Sequence, residues 1–321
     1  MQPIGGYFEL ELRKGHHYHQ DALRLNTARN CLEYILRAKH YKKIYIPYYT
    51  CEAVLEPIKK CAVEYEFYTI NEQLEPKQEI ESLDNEAFLY TNYFGVKNDT
   101  VIKLASVYKD RLIIDNSQAF YASPIEGIDT FYSARKFFGV ADGAYLYTKN
   151  KLEAKLDRDE SYKRMSHLLK RIDIGAEAGY NDSKINNNSL IGQPIKRMSL
   201  LTERILESID YQNIKNIRKR NYIYLDTILK DKNQLKFELK NEDIPLVYPF
   251  FSKTKELKQI LIQNKIFVAT YWPNVLKWRE ELETEYYLTK YIIPLPLDQR
   301  YNNNDIKYII NIINRESWIL K

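Results

Sequence analysis

Short apolar runs alternate with longer amphipathic stretches through the first half of this 321-residue chain. The runs are rich in β-branched and aromatic residues, which is typical of buried strands, and the stretches between them carry apolar residues at helical spacing. This alternation indicates an α/β domain with a mostly parallel sheet. Strands are predicted at residues 43–47, 61–68, 87–90, 112–114, 128–132 and 144–147, and helices at residues 28–36, 52–60 and 99–109.

The remaining segments indicate that the chain is organised as two domains. We expect a large domain over residues 1–230 and a smaller α+β C-terminal domain over residues 231–321, built as strand 246–250, helix 254–263 and strand 266–269. In the large domain, further predicted segments are a strand at 5–12, a charged helix at 152–171, an irregular polar stretch at 181–189 and a long helical region at 197–229.

Composition narrows the possible functions. The net charge of +5 is spread over 48 Lys and Arg and 43 Asp and Glu with no basic block, which does not support nucleic-acid binding. No apolar run reaches the ~18 residues of a membrane span, and no secretory signal opens the chain. Cys31, Cys51 and Cys61 lack metal-ligand spacing and fit reduced thiols in the cytoplasm.

Three histidines near the N-terminus, His16, His17 and His19, form another candidate feature. They could bind a metal, but a strand would point neighbouring histidines to opposite faces, and no carboxylate partner is obvious. We favour a partly exposed arm packed near the active site and expect no metal centre.

The predicted strands 112–114 and 128–132 end in chemically distinctive residues. Asp115 and Gln118 follow the first, and Ser133 and Lys136 follow the second. Ligands in open α/β sheets bind outside the strand ends, so these side chains should surround one pocket. They match the needs of pyridoxal 5'-phosphate (PLP): a lysine for the Schiff base, an aspartate to keep the pyridine nitrogen protonated, and a hydroxyl for the phosphate.

The motifs Asp-x-x-Gln at 115–118 and Ser-x-x-Lys at 133–136, followed by Phe-Phe-Gly-Val-Ala-Asp-Gly-Ala, resemble a known family. They look like a divergent branch of the DegT/StrS-like nucleotide-sugar aminotransferases, which are fold-type-I PLP-dependent transferases. The resemblance implies Lys136 and Asp115 as catalytic residues. It also implies Gln118 near the phenolic oxygen of the ring and Ser133 at the phosphate.

The helix that begins near Asn26 or Thr27 has two interpretations. Either residue is a good N-cap, so the segment can be simply a capped helix. The same free N–H groups can bind phosphate, and the resemblance places Thr27, Ala28 and Arg29 at the cofactor phosphate. We favour the second interpretation because the Asp and Lys motifs are also present.

Other candidates rest on the resemblance with alternatives left open. Asn92 is a candidate for the phenolic oxygen. Cys51 stands where many relatives stack an aromatic ring on the cofactor, so Tyr49, Tyr93 or Phe94 could supply that ring or could simply fill the core. Tyr93, Trp272 and Arg300 are substrate candidates, although Trp272 and Arg300 could instead form packing and an ion pair between domains.

The sequence therefore predicts a PLP-dependent aminotransferase that moves an amino group from glutamate to a nucleotide-linked keto sugar in surface polysaccharide biosynthesis. Lys136 lies between an apolar strand and Phe137, an environment that would disfavour its ammonium form. We expect a homodimer with Lys196 and Arg197 near the partner's cofactor phosphate. The alternatives are a non-transaminating PLP sugar enzyme, such as a dehydratase, and an inactive binding or partner protein.

Overall fold

A seven-stranded sheet forms the centre of the chain in a computed structural model that describes residues 4–81, 84–254 and 256–319. The strand order is β1-β7-β6-β5-β4-β2-β3; β7 is antiparallel to both of its neighbours, and the other pairs are parallel. The mostly parallel sheet is therefore confirmed. Its strands are β1 (Leu23–Leu25), β2 (Lys43–Pro47), β3 (Glu64–Tyr68), β4 (Glu86–Thr91), β5 (Leu112–Asp115), β6 (Asp129–Ser133) and β7 (Ala144–Tyr147).

The two faces of this sheet bury different parts of the core. Successive strand residues point to opposite faces, so Ile113 belongs to one hydrophobic cluster and Ile114 to the other. The Ile113 cluster is covered by helices α1 (Ala28–Lys39) and α2 (Leu55–Lys60). The Ile114 cluster continues into the C-terminal part of the chain. Burial on both faces explains why the central strands read as unbroken apolar runs.

Helix α1 begins at the sheet edge that carries the candidate site. Thr27 is its N-cap, with Oγ1 accepting a hydrogen bond from the Asn30 N–H at 3.1 Å. Cys31, Leu32 and Ile35 are buried, as the helical spacing predicts. Helix α3 (Asn98–Tyr108) lies one residue from its predicted bounds.

The chain between β7 and residue 230 differs most from prediction. Residues 152–165 contain no α-helix because backbone bonds tie them to residue 197, with the Arg197 N–H donating to the Asp157 oxygen at 2.7 Å. The helix begins only at Ser166, and the polar stretch predicted to be irregular is helical. The long helical region is broken before Asp210, which caps the second part. The helices are α4 (Ser166–Asp173), α5 (Tyr180–Ser189), α6 (Leu200–Glu207) and α7 (Tyr211–Leu229).

A two-stranded antiparallel sheet forms the C-terminal part, from β8 (Tyr248–Phe251) and β9 (Ile292–Leu295). The predicted strand at 266–269 is wrong. Ile266 and Val268 are buried while Phe267 is exposed, as in a strand. In the described part of the chain, however, no strand pairs with this segment. The helices are α8 (Leu257–Gln263), α9 (Val275–Trp278), α10 (Thr284–Tyr291) and α11 (Asn303–Ile319). Helix α7, which we assigned to the large domain, packs on β8 and α11 of the C-terminal part. The predicted domain boundary near residue 230 therefore stays a prediction.

The N-terminal segment also departs from prediction. Residues 8–12 form no strand, and Tyr7 and Phe8 are almost fully exposed. In the predicted arm, His16 is exposed whereas His17 and His19 are buried. The Nδ1 atom of His17 lies 2.7 Å from the Tyr145 hydroxyl, and burial lowers the pKa of His19 to about 4. These histidines belong to an aromatic core cluster.

Two further properties concern only the described residues. No group of three His, Cys, Asp or Glu side chains within them is placed to hold a metal ion. None of the helices within residues 4–81, 84–254 and 256–319 is both long and apolar enough to cross a membrane.

Candidate active site

The ends of β5 and β6 and the start of α1 meet around a cavity of about 170 Å³, which we call the smaller cavity. The parallel pairing of β5 with β6 brings Asp115 opposite Phe131, so both strands end at the same edge of the sheet. Of the predicted site residues, six line this cavity: Thr27, Ala28, Arg29, Asp115, Ser133 and Lys136. The structure therefore brings together side chains that lie up to 109 positions apart in the sequence, from Thr27 to Lys136.

Asp115 is the carboxylate of the smaller cavity. The residue is 8% exposed, and Oδ1 accepts a hydrogen bond from the Ser117 N–H at 2.8 Å. Among the described residues, none donates a hydrogen bond to Oδ2. Burial and the nearby Asp115 carboxylate raise the pKa of the Cys31 thiol. A buried carboxylate with one free oxygen is available for a cationic or N–H partner.

The opposite wall of the smaller cavity is suited to an anion. Thr27 and Ala28 form the start of α1, where unpaired backbone N–H groups carry a partial positive charge. The first turn of this helix contains no acidic residue. Ser133, at the end of β6, adds a hydroxyl to the same cavity. Both predicted roles of Thr27 are compatible, since its hydroxyl caps the helix that borders the cavity.

Lys136 lies where the smaller cavity meets a second one. The residue ends the short 3-10 turn Ala134–Lys136, which follows β6 directly. Lys136 is exposed, whereas the apolar residues next to it in the sequence predicted an apolar environment. Within the described parts of the chain its amine has no hydrogen-bond or ion-pair partner. The amine is therefore free to react with a ligand from either side.

The second cavity, of about 560 Å³, is called the larger cavity. It is formed by the Lys136 turn, helices α4 and α5, and the segment that follows β9. Four arginines and His167, whose pKa is lowered by burial and by Arg135, line it besides Lys136. Among the described residues its single acidic lining residue, Asp298, is paired with Arg300 at 2.7 Å. A cavity with this balance attracts anionic ligands. The four arginines are Arg135, Arg171, Arg218 and Arg300.

Arg218 and Gln299 hold the two sides of the larger cavity together. Arg218 is 1% exposed, donates to the carbonyl oxygens of Pro245 and Leu246 at 3.1 Å, and stacks on the Phe137 ring at 4.6 Å. Gln299 accepts from Arg218 Nε at 3.2 Å and donates to the Phe137 oxygen at 2.8 Å. Burial lowers the pKa of Arg218 to about 10. These contacts fix the chain immediately after Lys136.

Two predicted cofactor residues line neither cavity. The Asn92 amide nitrogen donates to Asn98 Oδ1 at 2.7 Å and to Asn116 Oδ1 at 3.0 Å, which uses both of its hydrogens. This arrangement opposes the predicted contact with the cofactor's phenolic oxygen. Gln118 accepts from the Phe94 N–H at 2.9 Å, and its buried amide nitrogen has no partner among the described residues.

The aromatic candidates belong to the core between the two sheets. Tyr93 is fully buried and donates its hydroxyl hydrogen to the Tyr49 oxygen at 2.9 Å, and Trp272 packs edge-on against Tyr49 at 5.0 Å. Neither Tyr93 nor Trp272 lines the two cavities, so their predicted substrate contacts gain no support. Cys51 does line the smaller cavity. Arg300 lines the larger cavity, and its ion pair is with Asp298, two residues away, rather than across domains. Its substrate contact stays a prediction.

Sequence reasoning missed several residues of this site. Arg135 borders both cavities and had been given no role, although its position beside Lys136 was a usable signal. Ser117 also lines the smaller cavity. His167 and Arg171 both lie on α4, within the helix predicted at 152–171, but no sequence signal linked that helix to Lys136.

The donor set of the smaller cavity fits PLP. A carboxylate with a free oxygen suits the protonated pyridine nitrogen, a free lysine amine suits the aldehyde, and a serine hydroxyl beside a helix N-terminus suits the phosphate. The Nε of Arg135, next to these groups, is buried without a hydrogen-bond partner. No other group in the smaller cavity conflicts with this assignment.

Comparison with known proteins identifies the class of fold. No protein-family model matches the sequence, and no curated protein matches it significantly. Solved structures match over nearly the whole chain, and several are sugar aminotransferases. The likeness, at 13–15% identity, shows a shared fold. The predicted fold class, the α/β fold of the fold-type-I PLP-dependent transferases, is thereby confirmed.

Three of these structures illustrate the match. The chain is similar to a putative sugar aminotransferase, Spr1654 of Streptococcus pneumoniae in its PMP form, with TM-score 0.62, 15% identity, and coverage of 91% of this chain and 86% of that one. The aminotransferase TlmJ of Streptoalloteichus hindustanus gives TM-score 0.64, 13% identity, and coverage of 94% and 86%. The GDP-4-keto-6-deoxymannose-3-dehydratase ColD gives TM-score 0.61, 15% identity, and coverage of 91% and 87%.

Proposed function

We propose that this chain is a PLP-dependent aminotransferase of the DegT/StrS-like group. It transfers an amino group from glutamate to a keto sugar carried by a nucleotide, in the assembly of surface polysaccharides. One observation carries the proposal: the free amine of Lys136 lies in the wall shared by a cavity that fits PLP and a larger, arginine-rich cavity. Cofactor and substrate can then reach the same amine from opposite sides.

Each residue of the smaller cavity has a role in this proposal. When bound, PLP supplies an electron sink for charge that develops on the substrate carbon. Asp115 keeps a proton on the pyridine nitrogen, which maintains that sink. Ser133 and the first N–H groups of α1 hold the phosphate. Lys136 anchors the cofactor through its amine and, once released, carries a proton to and from the substrate carbon.

The larger cavity receives the substrate. A nucleotide-linked sugar carries phosphates, and the carboxylates of glutamate are also anionic, so both partners of the reaction suit a cavity with excess positive charge. Arg171 has no ion-pair partner in the described part of the chain, and Arg300 is about half exposed. These two side chains are the groups best placed to contact phosphate without breaking the packing of the site.

Two other functions compete with transamination. The same fold supports a dehydratase, so fold alone does not choose the reaction. A dehydratase would replace the lysine with a base that cannot form an imine. The lysine amine where the two cavities meet therefore favours transamination. An inactive binding or partner protein would have no need of a free amine, a free carboxylate oxygen and an anion-binding wall around one cavity.

The test is the absorption spectrum of the purified protein with PLP. We expect a visible band from bound PLP, which glutamate converts to the spectrum of the pyridoxamine form. A protein that binds no PLP would be the binding or partner protein. A protein that binds PLP but whose spectrum does not respond to any amino-acid donor would contradict transamination.

A homodimer completes this proposal. The helices α4 and α5 and the turn after them expose large apolar side chains, which suits a protein interface. These are Leu169, Ile172, Ile174, Tyr180, Ile185 and Ile191. Arg197 is exposed on a neighbouring segment, and Lys196 lies 3.7 Å from Asp159. Both residues are proposed to approach the partner's cofactor phosphate.

Mixing two inactive variants tests the shared site. One protomer would carry Lys136→Ala and the other would carry Lys196→Ala with Arg197→Ala. Recovery of the glutamate reaction in mixed dimers would support residues contributed across the interface. No recovery after verified subunit exchange would contradict it.

A further inference from the structure

Arg135 is the only arginine within the described residues that lines both cavities. It lies between Ser133 and Lys136 in the turn that follows β6, and it borders both cavities. The backbone of this turn is fixed, with the Ala134 N–H donating to the Gly143 oxygen at 3.1 Å and the Phe137 N–H to the Ala134 oxygen at 3.0 Å. The Arg135 side chain is therefore attached to a fixed stretch of backbone at the edge of the smaller cavity.

The charge of Arg135 is not neutralised by the chain. Within the described residues it forms no ion pair; one nitrogen donates to Asn187 Oδ1, and Nε is buried without a partner. Its neighbours differ: Arg29 lies 3.2 Å from Glu56, and Arg164 lies 2.6 Å from Asp159. Burial and the proximity of Arg29 lower the pKa of Arg135 to about 10, although the Asp142 carboxylate acts in the opposite direction. A partly buried, unpaired cation is costly unless an anion joins it.

The wall next to Arg135 offers a place for that anion. Thr27 and Ala28 at the start of α1 and Ser133 at the end of β6 line the same cavity as the guanidinium. Helix N–H groups and a hydroxyl can bind phosphate oxygens, and a guanidinium can pair with two of them at once. Together these groups provide both hydrogen bonds and charge for a phosphate dianion.

We infer that Arg135 holds the phosphate group of PLP and supplies the chain's own countercharge for it. This inference rests on the proposed function and adds a specific residue to it. The alternative ligand is a phosphate of the substrate, which would approach Arg135 from the larger cavity. Because pyridoxal lacks the phosphate of PLP, comparing the two compounds separates a role in phosphate binding from a role in the fold of the site.

The experiment measures the dissociation constants of PLP and pyridoxal for the wild-type chain and two variants, by absorption titration. Arg135→Met removes the charge while keeping a similar length, and Arg204→Met removes an arginine that is 60% exposed on α6 as a matched control. We expect Arg135→Met to raise the PLP constant about tenfold or more. The pyridoxal constant should change less than about threefold, and the control should change neither.

The conservative variant and a competitor sharpen the result. Arg135→Lys, which keeps the charge but not the two-pronged geometry, should fall between the wild type and Arg135→Met for PLP. Inorganic phosphate should compete with PLP in the wild type and less effectively in Arg135→Met.

Three outcomes would overturn the inference. If Arg135→Met weakens PLP and pyridoxal equally, the residue acts on the fold of the site. If PLP affinity is unchanged while affinity for pyrophosphate falls, the residue serves the substrate instead. A wild-type chain that binds neither PLP nor pyridoxal would overturn the proposed function itself, and this inference with it.

Discussion

The two cavities that meet at Lys136 are built in different ways. The smaller one is lined mainly by the ends of β5 and β6, the start of α1 and the turn after β2, with Leu190 added from the end of α5. Most of its polar groups follow a recognisable strand or cap. The larger one is assembled from α4, α5, α7 and the segment after β9, and its basic residues come from positions 135 to 300. The sheet therefore fixes the groups proposed for the cofactor, whereas the proposed substrate side depends on packing between distant segments.

The largest effect is expected from replacing Lys136, whose amine lies where the two cavities meet. Lys136→Ala should abolish turnover and the visible absorption of bound PLP, because within the described residues no other amine lies in the wall shared by the two cavities. Lys151→Ala, at an exposed lysine on another segment, is the control and should retain both. A Lys136→Ala protein with wild-type absorption and turnover would remove Lys136 from the site.

The next largest effect should come from the carboxylate of the smaller cavity. Asp115→Asn preserves shape and the hydrogen bond from Ser117 but removes the negative charge that keeps the pyridine nitrogen protonated. We expect PLP to stay bound and the rate of the glutamate reaction to fall by roughly 10²–10⁴-fold. Stopped-flow absorption measures the rate, and an unchanged rate would contradict the assigned role.

The larger cavity contains a residue whose main role should be stability. Arg218→Met leaves the carbonyls of Pro245 and Leu246 without their donor and removes the stacking on Phe137. We expect the free energy of unfolding to fall by about 2–4 kcal/mol. Arg220→Met, on the exposed side of the same helix, is the control in denaturant titrations. Equal stability of the two variants would show that the Arg218 contacts contribute little.

The smallest predicted effect concerns substrate binding alone. Arg171 lines the larger cavity but is exposed and belongs to no cofactor contact. Arg171→Met should weaken binding of pyrophosphate, a probe for the substrate phosphates, by roughly fivefold, while the PLP dissociation constant stays the same. Calorimetry on the PLP-loaded protein measures both. Loss of PLP affinity in this variant would break the distinction between the cavities.

The same division explains how much could be predicted from sequence. Apolar strands ending in polar residues identify Asp115, Ser133 and Lys136, because parallel strands present their ends at one edge. The helix spacing and the N-cap place Thr27 correctly. These signals lie within short stretches of sequence, so they can be recognised without knowledge of the tertiary fold.

The errors occur where tertiary contacts override local pattern. Residues 152–165 were expected to be helical but are held by backbone bonds to residue 197, and the asparagine-rich α5 is held by contacts such as Asn186 Nδ2 to the Ala141 oxygen at 3.0 Å. The hydrogen bonds of Asn92 with Asn98 and Asn116 could not be inferred from sequence, and its contact with the cofactor stays a prediction. The larger cavity was missed for the same reason.

Identification of the lysine that PLP modifies tests the central claim most directly. The protein would be incubated with PLP, reduced with borohydride, digested and analysed by mass spectrometry. The account predicts that the pyridoxyl group is found on Lys136 at near-stoichiometric yield, and that prior incubation with glutamate lowers that yield. Modification mainly at another lysine, or none at Lys136, would contradict it.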